Sequence, residues 1–235
     1  MKAFILCGGE GTRLRPYTYE TPKPLLKIGG KPILNHVIEN LQRADIDEYI
    51  LTAGYLADQF VSYVGDGSSF GSKVTVAVET EKLNTAGSIL PHKDKVEGTF
   101  VVVMGDHITN LHIADMIEHH KKSGAVATVA LLKHETKLEF GVAEVEDGHI
   151  KEFREKPVLE HLFNIAIYVF EPKIFDYIGE KEDFAKDVFP KMLRSGEKIN
   201  AYIFDGLWHD IGHKSEYDRL NEEPALSKLL EDLKK

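Results

Sequence analysis

The sequence predicts an α/β protein with a mostly parallel, mixed sheet and helices on both faces. Apolar runs typical of buried strands alternate with segments whose apolar residues recur at helical spacing. Helices that connect parallel strands cover both faces of a sheet, so this alternation favours a layered arrangement. The chain has 235 residues, of which 43% are hydrophobic, enough for one substantial core. We therefore expect a single domain over residues 1–235.

The first half of the chain carries the alternation most clearly. Residues 33–44 place their apolar side chains on one helical face, and in 74–78 valine recurs at every second position. The run 100–104 is continuously apolar, which predicts a strand buried on both faces. Strands are thus predicted at 3–7, 48–53, 74–78, 100–104 and 125–132, with helices at 33–44, 56–64 and 113–122 and a loop at 65–71.

The second half carries hairpin and turn signals instead. Asp147-Gly148 separates two strand-like segments, and both turn residues accept positive φ, so a β-hairpin is predicted. Pro172 suits the first turn of a helix, where its missing N–H is no loss. The amphipathic segment 222–235 is expected to be a helix packed on the body or on a partner, which leaves a homo-oligomer open. The other predictions are hairpin strands at 141–146 and 149–153, strands at 164–170 and 199–204, and a helix at 184–193.

A glycine-rich loop follows the first strand, and basic residues follow the loop. Gly8, Gly9 and Gly11 permit positive φ and a close approach of a ligand to the main chain. Successive N–H groups in such a loop form an anion-binding concavity. Arg13 adds a forked guanidinium donor, and Lys23 stands between two prolines that stiffen its backbone. Together these features predict a phosphate site.

Two commoner glycine motifs do not fit this loop. The G-x-x-x-x-G-K-[ST] phosphate loop is absent, because no Gly-Lys-Ser/Thr follows at the right spacing. The dinucleotide fingerprint G-x-G-x-x-G starts at Gly9 and fails at Leu14, where its third glycine should stand. The predicted phosphate site therefore matches neither of these two motifs.

Net charge indicates which kind of molecule the protein binds, and cysteine content indicates in which compartment it works. The formal charge is −9, which argues against a nucleic-acid partner, yet residues 10–31 carry five basic and two acidic side chains. A locally positive segment in an acidic protein suits the binding of a small anionic substrate. The single cysteine, Cys7, ends an apolar strand and is expected to pack rather than react. Without an intrachain disulfide, signal peptide or membrane span, we expect a cytoplasmic protein with no membrane partner.

The stretch from Leu6 to Leu26 resembles the signature of the sugar-1-phosphate nucleotidyltransferases, G-G-x-G-T-R-L-x-P followed by P-K-P. The resemblance continues through Gly212 and implies the single-domain, Rossmann-like nucleotidyltransferase fold. The hexapeptide repeats of a β-helix are absent, so no C-terminal β-helix is expected. The resemblance further implies a nucleotide-binding half over about 1–135, a sugar-binding half over about 136–222 and a C-terminal helical tail over 223–235.

The implied reaction is NTP + sugar 1-phosphate → NDP-sugar + pyrophosphate, with Mg²⁺. Asp106 follows the strand 100–104, and Asp210 lies in a segment similar to the family's W-x-D-I-G. The resemblance makes both aspartates metal ligands and makes Arg13, Lys23 and Asp106 the catalytic residues. The implied nucleotide-binding residues are Leu6, Gly8, Gly9, Gly11, Thr12, Arg13, Lys23, Glu79, Asn84, Thr85 and Gly87. The implied sugar-phosphate-binding residues are Gly141, Glu155, Lys156 and Asn164.

Three positions depart from the family pattern. Asn84 and Ala166 replace glycines, and His213 replaces a threonine. Asn tolerates the left-handed conformation better than most residues, so the turn at Asn84 can survive. Ala166 puts the fine geometry of the sugar pocket in question.

The preferred base is predicted from Glu79. Guanine presents two adjacent donors, and a carboxylate offers two acceptor oxygens to them. The T-A-G sequence at 85–87 also resembles the mannose-1-phosphate guanylyltransferases. We therefore expect GTP and mannose 1-phosphate, with Glu81 as a second carboxylate able to reach the base. The alternative is a uridylyl- or thymidylyltransferase acting on glucose 1-phosphate or another sugar 1-phosphate.

The motifs allow three other interpretations. A non-catalytic regulatory subunit that binds nucleotide sugars would retain the pocket without turnover. A glycosyltransferase would often show D-x-D, which Asp106-His107-Ile108 does not. Zinc binding by His209 and His213 would need both on one helical face, and the intervening glycine disfavours a helix. The remaining histidines, His119 and His120 among them, are expected to be solvated.

Overall fold

The computed structural model describes residues 1–233, and a seven-stranded sheet lies at its centre. The strands are β1 (Lys2–Leu6), β2 (Lys27–Ile28), β3 (Lys31–Pro32), β4 (Glu48–Ala53), β5 (Lys73–Val78), β6 (Phe100–Met104), β7 (His107–Thr109), β8 (Ala127–Lys137), β9 (Val142–Glu146), β10 (His149–Arg154), β11 (Val158–Phe170), β12 (Ile199–Phe204) and β13 (Trp208–Asp210). The helices are α1 (Ile33–Gln42), α2 (Ala57–Val64), α3 (Asn84–Gly87), α4 (Ile113–Ser123), α5 (Phe189–Arg194), α6 (Lys214–Leu220) and α7 (Ala225–Asp232). Short 3₁₀ helices lie at Thr12–Leu14, Tyr17–Tyr19, Lys23–Leu25, Ser68–Phe70, Leu90–Lys95 and Pro172–Tyr177.

The sheet is mostly parallel and mixed, as predicted. Its strand order is β12–β8–β11–β6–β1–β4–β5. Strand β1 pairs in parallel with β4 and β6, whereas β11 runs antiparallel to both β6 and β8. Strand β1 is apolar from Ala3 to Leu6, as expected for a strand with both of its faces covered.

Two apolar clusters cover the two faces of the sheet. One packs α1, α2 and α4 against side chains such as Ile5, Leu51 and Val103. The other packs the segment that contains α5 against Phe4, Val102 and their neighbours on the opposite face. This confirms the expectation of helices on both faces.

A third apolar cluster holds the C-terminal helices α6 and α7 against the loop region that follows β1. Its buried members are Leu14, Leu26, Ile28, Ile33, Ile108, Ile211, Leu220 and Leu229. The helix predicted at the C-terminus is present as α7, while positions 234 and 235 of that prediction lie outside the described residues. The cluster fixes the loop carrying Lys23 beside the strand carrying Asp210.

The predicted hairpin is present, but the strands beside it are longer than predicted. Asp147 and Gly148 have φ of 50° and 80°, so both adopt the left-handed turn conformation that this dipeptide accepts. Strands β8 and β11 continue beyond the sheet as an antiparallel ribbon. The outer residues of the ribbon are mostly exposed and include an ion pair of 3.3 Å between Lys133 and Glu160. The ribbon is held by strand pairing rather than by core burial, so hydrophobic periodicity did not reveal it.

The helix predicted at 184–193 is interrupted. Residues Phe184–Val188 form a π-helical turn, and regular α-helix begins only at Phe189. Pro190 has no N–H to donate to the preceding turn, which explains why the regular hydrogen-bond pattern fails there. Asp183 caps the turn by accepting hydrogen bonds from the N–H groups of Ala185 and Lys186.

His120 is buried, which corrects the prediction that it is solvated. Its side chain is only 1% exposed, and Nδ1 lies 2.7 Å from the Thr128 hydroxyl. Nε2 lies 3.2 Å from the Glu171 carboxylate. Burial lowers the pKa of His120, although Glu171 opposes the shift. His119, in contrast, is exposed as predicted.

Lowering the pH below about 6.5 should therefore destabilise the protein in part through His120. Its pKa is lower in the folded state, so the unfolded chain binds the extra proton first and stability is lost as the pH falls. The loss of unfolding free energy between pH 7.5 and pH 5.5, measured in urea, should be smaller in His120→Gln than in the wild type. His119→Gln serves as the control and should keep the wild-type loss. Equal losses in all three proteins would contradict this role of His120.

The described chain contains neither a β-helix nor a helix with the length and apolarity needed to cross a bilayer.

Candidate active site

A cavity of about 430 Å³ opens at the carboxyl ends of β1, β4, β5 and β6. Ligands of open α/β sheets bind at this edge. The cavity is lined by Leu6, Cys7, Gly8, Gly9, Gly11, Thr12, Arg13, Lys23, Pro24, Thr52, Glu79, Lys82, Asn84, Thr85, Ser88, Met104, Asp106 and Asp183. Most of the predicted nucleotide-binding residues therefore lie on one surface.

The glycine loop owes its shape to Gly11. Gly11 has a φ of 62°, and its carbonyl accepts a hydrogen bond of 2.8 Å from the Thr18 hydroxyl. A Cβ at this position would lie 2.9 Å from Thr18 Cγ2, so a larger residue is excluded both by backbone conformation and by space. Of the three glycines that permit positive φ in this loop, only Gly11 adopts it. Gly8 instead provides room, since a Cβ there would lie 3.1 Å from Glu79 Oε2.

Arg13 projects from the 3₁₀ turn Thr12–Leu14. Leu14 is fully buried and anchors this turn, while Arg13 itself remains exposed. Its Nη1 lies 2.9 Å from Nε2 of His213. An arginine can only donate, so the imidazole nitrogen accepts the hydrogen bond. The histidine that departs from the family pattern thus contacts a predicted phosphate-binding residue.

Lys23 links the loop to two carboxylates. Pro22 and Pro24 flank it, and the 3₁₀ turn Lys23–Leu25 fixes its direction. Its ammonium lies 2.5 Å from Asp106 Oδ2 and 3.1 Å from Asp210 Oδ1. The Lys23 side chain is only 9% exposed, so this contact is shielded from water far more than a surface ion pair.

The fold explains why Asp106 and Asp210 meet. The N–H of Gly105 donates a hydrogen bond of 2.9 Å to the Leu6 carbonyl. A Cβ at position 105 would collide with Cys7 Sγ, so only glycine allows the end of β6 to lie this close to β1. Asp106 is the next residue after Gly105 and is therefore held at this end of β6. Strands β7 and β13 pair antiparallel, and Asp210 lies directly opposite His107 in that pairing. Opposite residues of such a pair share a face, so the side chains of Asp210 and His107 come together. Asp106 immediately precedes His107, and ligand atoms of all three residues lie within 4.8 Å of one another.

The donor set at this point fits a divalent cation. Asp106, His107 and Asp210 each offer a ligand atom, and these atoms lie within 4.8 Å of one another. Asp106 Oδ1 is buried and has no hydrogen-bond partner among the described residues. Burial opposes ionisation of Asp106, but the His107 ring, when it is protonated, and the Lys23 ammonium lower the pKa of this carboxyl. Anionic oxygens with an open coordination position are what Mg²⁺ and Mn²⁺ require.

A second carboxylate without a full set of hydrogen-bond partners among the described residues lies on the side of the cavity that is predicted to bind the base. Within residues 1–233, Glu79 Oε1 is buried without a hydrogen-bond partner, and burial raises the pKa of Glu79. Asn84 adopts a φ of 60°, as its replacement of glycine required, and its amide donates to the Lys181 carbonyl at 2.6 Å. Thr85 donates to Asp183 Oδ2 at 2.8 Å. Gly87 does not line the cavity, because its backbone packs so closely against Lys181 that a Cβ on Gly87 would lie 2.7 Å from the Lys181 nitrogen.

The predicted sugar-phosphate residues lie outside the lining of this cavity. Gly141, Glu155, Lys156 and Asn164 are all exposed. A Cβ on Gly141 would lie 2.8 Å from Glu155 Oε2, so these two residues are adjacent. Asn164 accepts from the N–H of Ala166 at 2.9 Å and thereby supports its φ of 55°, a conformation that glycine would adopt more easily.

The fold brings to the site several residues that no sequence motif identified. Thr52, Lys82, Ser88, Met104 and Asp183 line the cavity, and His107 joins the two predicted metal ligands. None of these residues belongs to a local sequence motif that would predict its place in the site. Cys7 also lines the cavity, and its side chain packs in the core as predicted. Burial raises the pKa of its thiol, which disfavours the reactive thiolate. His209 pairs with Glu216 at 2.9 Å, whereas His213 contacts Arg13, so the two histidines have different partners.

Comparison with known proteins places these features in a family. A profile of the family described as nucleotidyl transferase matches residues 2–225. The chain is 34% identical over 238 residues to UTP–glucose-1-phosphate uridylyltransferase of Synechocystis sp., covering 92% of this chain and 61% of that protein. It is 36% identical over 227 residues to probable mannose-1-phosphate guanylyltransferase 1 of Oryza sativa subsp. japonica, covering 92% and 63%.

A solved structure from Bacillus anthracis, described as a putative glucose-1-phosphate thymidylyltransferase, superposes with a TM-score of 0.75 at 29% identity, covering 94% of both chains. The chain spans about three fifths of the length of the two curated relatives, from Synechocystis and Oryza. The family match nevertheless extends over nearly all of its residues, and the chain belongs to the nucleotidyl transferase family.

Proposed function

We propose that this protein transfers a nucleotidyl group from an NTP to a sugar 1-phosphate and releases pyrophosphate. One observation carries the proposal: the buried Lys23 joins Asp106 and Asp210 at the edge of a cavity that begins with a glycine loop. This arrangement combines donors for phosphate oxygens with carboxylates for a metal ion. The relatives' names support the same reaction class.

The reaction needs positioning and charge neutralisation rather than a covalent enzyme intermediate. A phosphate oxygen of the sugar 1-phosphate attacks the α-phosphorus, the bond from that phosphorus to the β-phosphate oxygen breaks, and pyrophosphate leaves with the bond's electron pair. N–H groups of the glycine loop and the Arg13 guanidinium hold the triphosphate. Lys23 reduces the repulsion between the two anionic substrates. Bound to Asp106 and Asp210, Mg²⁺ would supply further neutralisation of phosphate charge.

The sugar 1-phosphate is proposed to bind toward the ribbon and hairpin of the second half. Gly141, Glu155 and Asn164 would contact the sugar, and Lys156 would contact its phosphate. Exposed side chains on this side suit a polar substrate that must enter from solvent and leave as part of a larger product. We also retain the halves 1–135 and 136–222 as the nucleotide- and sugar-binding parts, with 223–235 as a tail. A cytoplasmic location and a homo-oligomer are proposed on the sequence arguments alone.

GTP is proposed as the nucleotide. Glu79 Oε1 is a buried acceptor that lacks a donor among the described residues, and guanine's N1–H and amino group would supply one. Glu81 is exposed and pairs with Lys181 at 2.6 Å, which supports Glu79 over Glu81 as the base-reading carboxylate. The relatives do not decide the base, because their names specify uridylyl, guanylyl and thymidylyl transfer. Mannose 1-phosphate is proposed with GTP from the resemblance of residues 85–87.

A matrix of NTPs against sugar 1-phosphates, with released pyrophosphate as readout, tests the reaction. Release with at least one pair, and equal formation of the NDP-sugar, would support the proposal. Tight binding of NDP-sugars without release would favour the regulatory subunit. Sugar transfer from an added NDP-sugar to an acceptor would favour the glycosyltransferase.

Glu79→Gln should shift nucleotide preference toward pyrimidines. An amide offers a donor and an acceptor where the carboxylate offers two acceptors, so guanine loses a partner worth about 1–3 kcal/mol, roughly a ten- to hundredfold preference. The measurement is kcat/KM for GTP, UTP and dTTP with one sugar 1-phosphate. Glu81→Gln is the matched control and should leave the ratios unchanged. The assignment fails if wild-type UTP or dTTP efficiency equals that of GTP, or if Glu79→Gln changes no ratio.

A further inference from the structure

His107 lies inside the candidate metal site but has no part in the proposed reaction. Its Nε2 is 3.6 Å from Asp106 Oδ1 and 3.7 Å from Asp210 Oδ1. Its side chain is 12% exposed, and its ring packs against Trp208 in an edge-to-face arrangement at 5.2 Å. The ring is therefore held in place with Nε2 toward both carboxylates.

The hydrogen bond at the other ring nitrogen, Nδ1, determines whether Nε2 of the neutral ring carries a hydrogen or a lone pair. Nδ1 lies 3.2 Å from the carbonyl oxygen of Ile165. A carbonyl can only accept, so Nδ1 carries the hydrogen and Nε2 of the neutral ring presents a lone pair. Metal-binding histidines usually have this arrangement, in which the second ring nitrogen donates to a backbone carbonyl and orients the ligand.

Nε2 of His107 thus faces two carboxylate oxygens, Asp106 Oδ1 and Asp210 Oδ1. Of these two oxygens, Asp210 Oδ1 accepts a hydrogen bond from the Lys23 ammonium at 3.1 Å. Lys23 contacts Asp106 through Oδ2, which leaves Oδ1 buried and without a partner in the described part of the chain. Two ligand atoms at about 2.1 Å from one ion lie about 3 Å apart when adjacent and about 4 Å apart when opposite. The observed 3.6 and 3.7 Å exceed the adjacent spacing by less than about 1 Å, so a small shift of the side chains lets one ion bind His107 together with either carboxylate.

We propose that His107 is a third protein ligand of the divalent cation and that its nitrogen makes the site favour Mn²⁺ over Mg²⁺. Imidazole suits transition metals, whereas Mg²⁺ prefers oxygen ligands. The inference rests on the proposed function for the presence of a metal site, but it concerns the composition of that site and not the reaction. Carboxylates alone would give less discrimination between the two ions.

The test is direct binding of Mn²⁺ to the metal-free full chain without substrates. Electron spin-echo spectroscopy of the bound Mn²⁺ should show ¹⁴N coupling from a directly bound imidazole. Selective ¹⁵N labelling of histidine should replace that signal with ¹⁵N coupling in the wild type, so this arm needs no variant to fold. His107→Leu and His107→Gln should abolish the coupling and weaken Mn²⁺ binding about tenfold or more. Both should change Mg²⁺ binding, measured by competition, by a smaller factor.

His119→Leu removes an exposed histidine outside the cluster and should retain the wild-type signal and affinity. The proposal is overturned if the wild type shows no histidine nitrogen coupling or binds no Mn²⁺ at millimolar concentration. It is also overturned if the His107 variants bind Mn²⁺ as tightly as the wild type, as expected if a protonated ring merely pairs with the carboxylates. Because no substrate is present, these outcomes are independent of turnover. An inactive protein can pass this test, and an active enzyme can fail it.

Discussion

Asp106→Asn should lower kcat by about 10²-fold or more while leaving the fold intact. The side chain lies beyond the end of β6 rather than in the core, and the amide has the same shape. The amide cannot, however, supply the buried anionic oxygen that faces the candidate cation site. The change removes charge stabilisation where phosphate charge is redistributed, so the loss should appear in kcat and not only in KM.

Pyrophosphate release at saturating NTP, sugar 1-phosphate and Mg²⁺ measures this effect, and thermal unfolding checks the fold. Asp94→Asn is the control, because it removes the same charge from an exposed side chain that does not line the cavity. That variant should turn over at the wild-type rate. Near wild-type turnover of Asp106→Asn would remove Asp106 from the mechanism.

Hydrophobic pattern predicted the fold well wherever burial determines structure. The predictions for β4, β6 and β12 match the observed bounds. Strands β4 and β6 are lined by apolar side chains that the sheet buries, whereas the edge strand β12 is only partly buried. The outer halves of β8 and β11 escaped prediction since cross-strand pairing, not burial, holds them. His120 was misjudged because helical position alone does not show that Thr128 and Glu171 meet its ring.

Prediction of the site depended on contacts between distant parts of the chain. The motif around Asp210 suggested that this residue meets Asp106, and both contact Lys23 in the structure. The place of His107 follows from its register opposite Asp210, which no local pattern contains. The roles of all these residues remain predictions.

Lys23→Met should separate the structural part of Lys23 from its catalytic part. Removing one partner of a buried ion pair costs about 3–5 kcal/mol, but Asp210 is 36% exposed and water screens part of the repulsion that remains. We therefore expect a loss of about 1–3 kcal/mol in unfolding free energy without divalent ions. Excess Mg²⁺ binds the same carboxylates and should restore much of this loss, because it binds the folded state preferentially.

Turnover should respond differently to the same addition. The ammonium of Lys23 is proposed to stabilise phosphate charge as well as the two carboxylates, so kcat of Lys23→Met should stay about 10²-fold or more below wild type at saturating Mg²⁺ with every sugar 1-phosphate. Lys156→Ala is the matched comparison, because the exposed ammonium of Lys156 is proposed to bind only the sugar phosphate. The stability of this variant should equal that of the wild type. Its KM should rise more for the sugar 1-phosphate than for the NTP. If Mg²⁺ restored both stability and turnover of Lys23→Met, Lys23 would be a structural counter-ion alone, because a catalytic ammonium cannot be replaced by a cation that serves only the carboxylates.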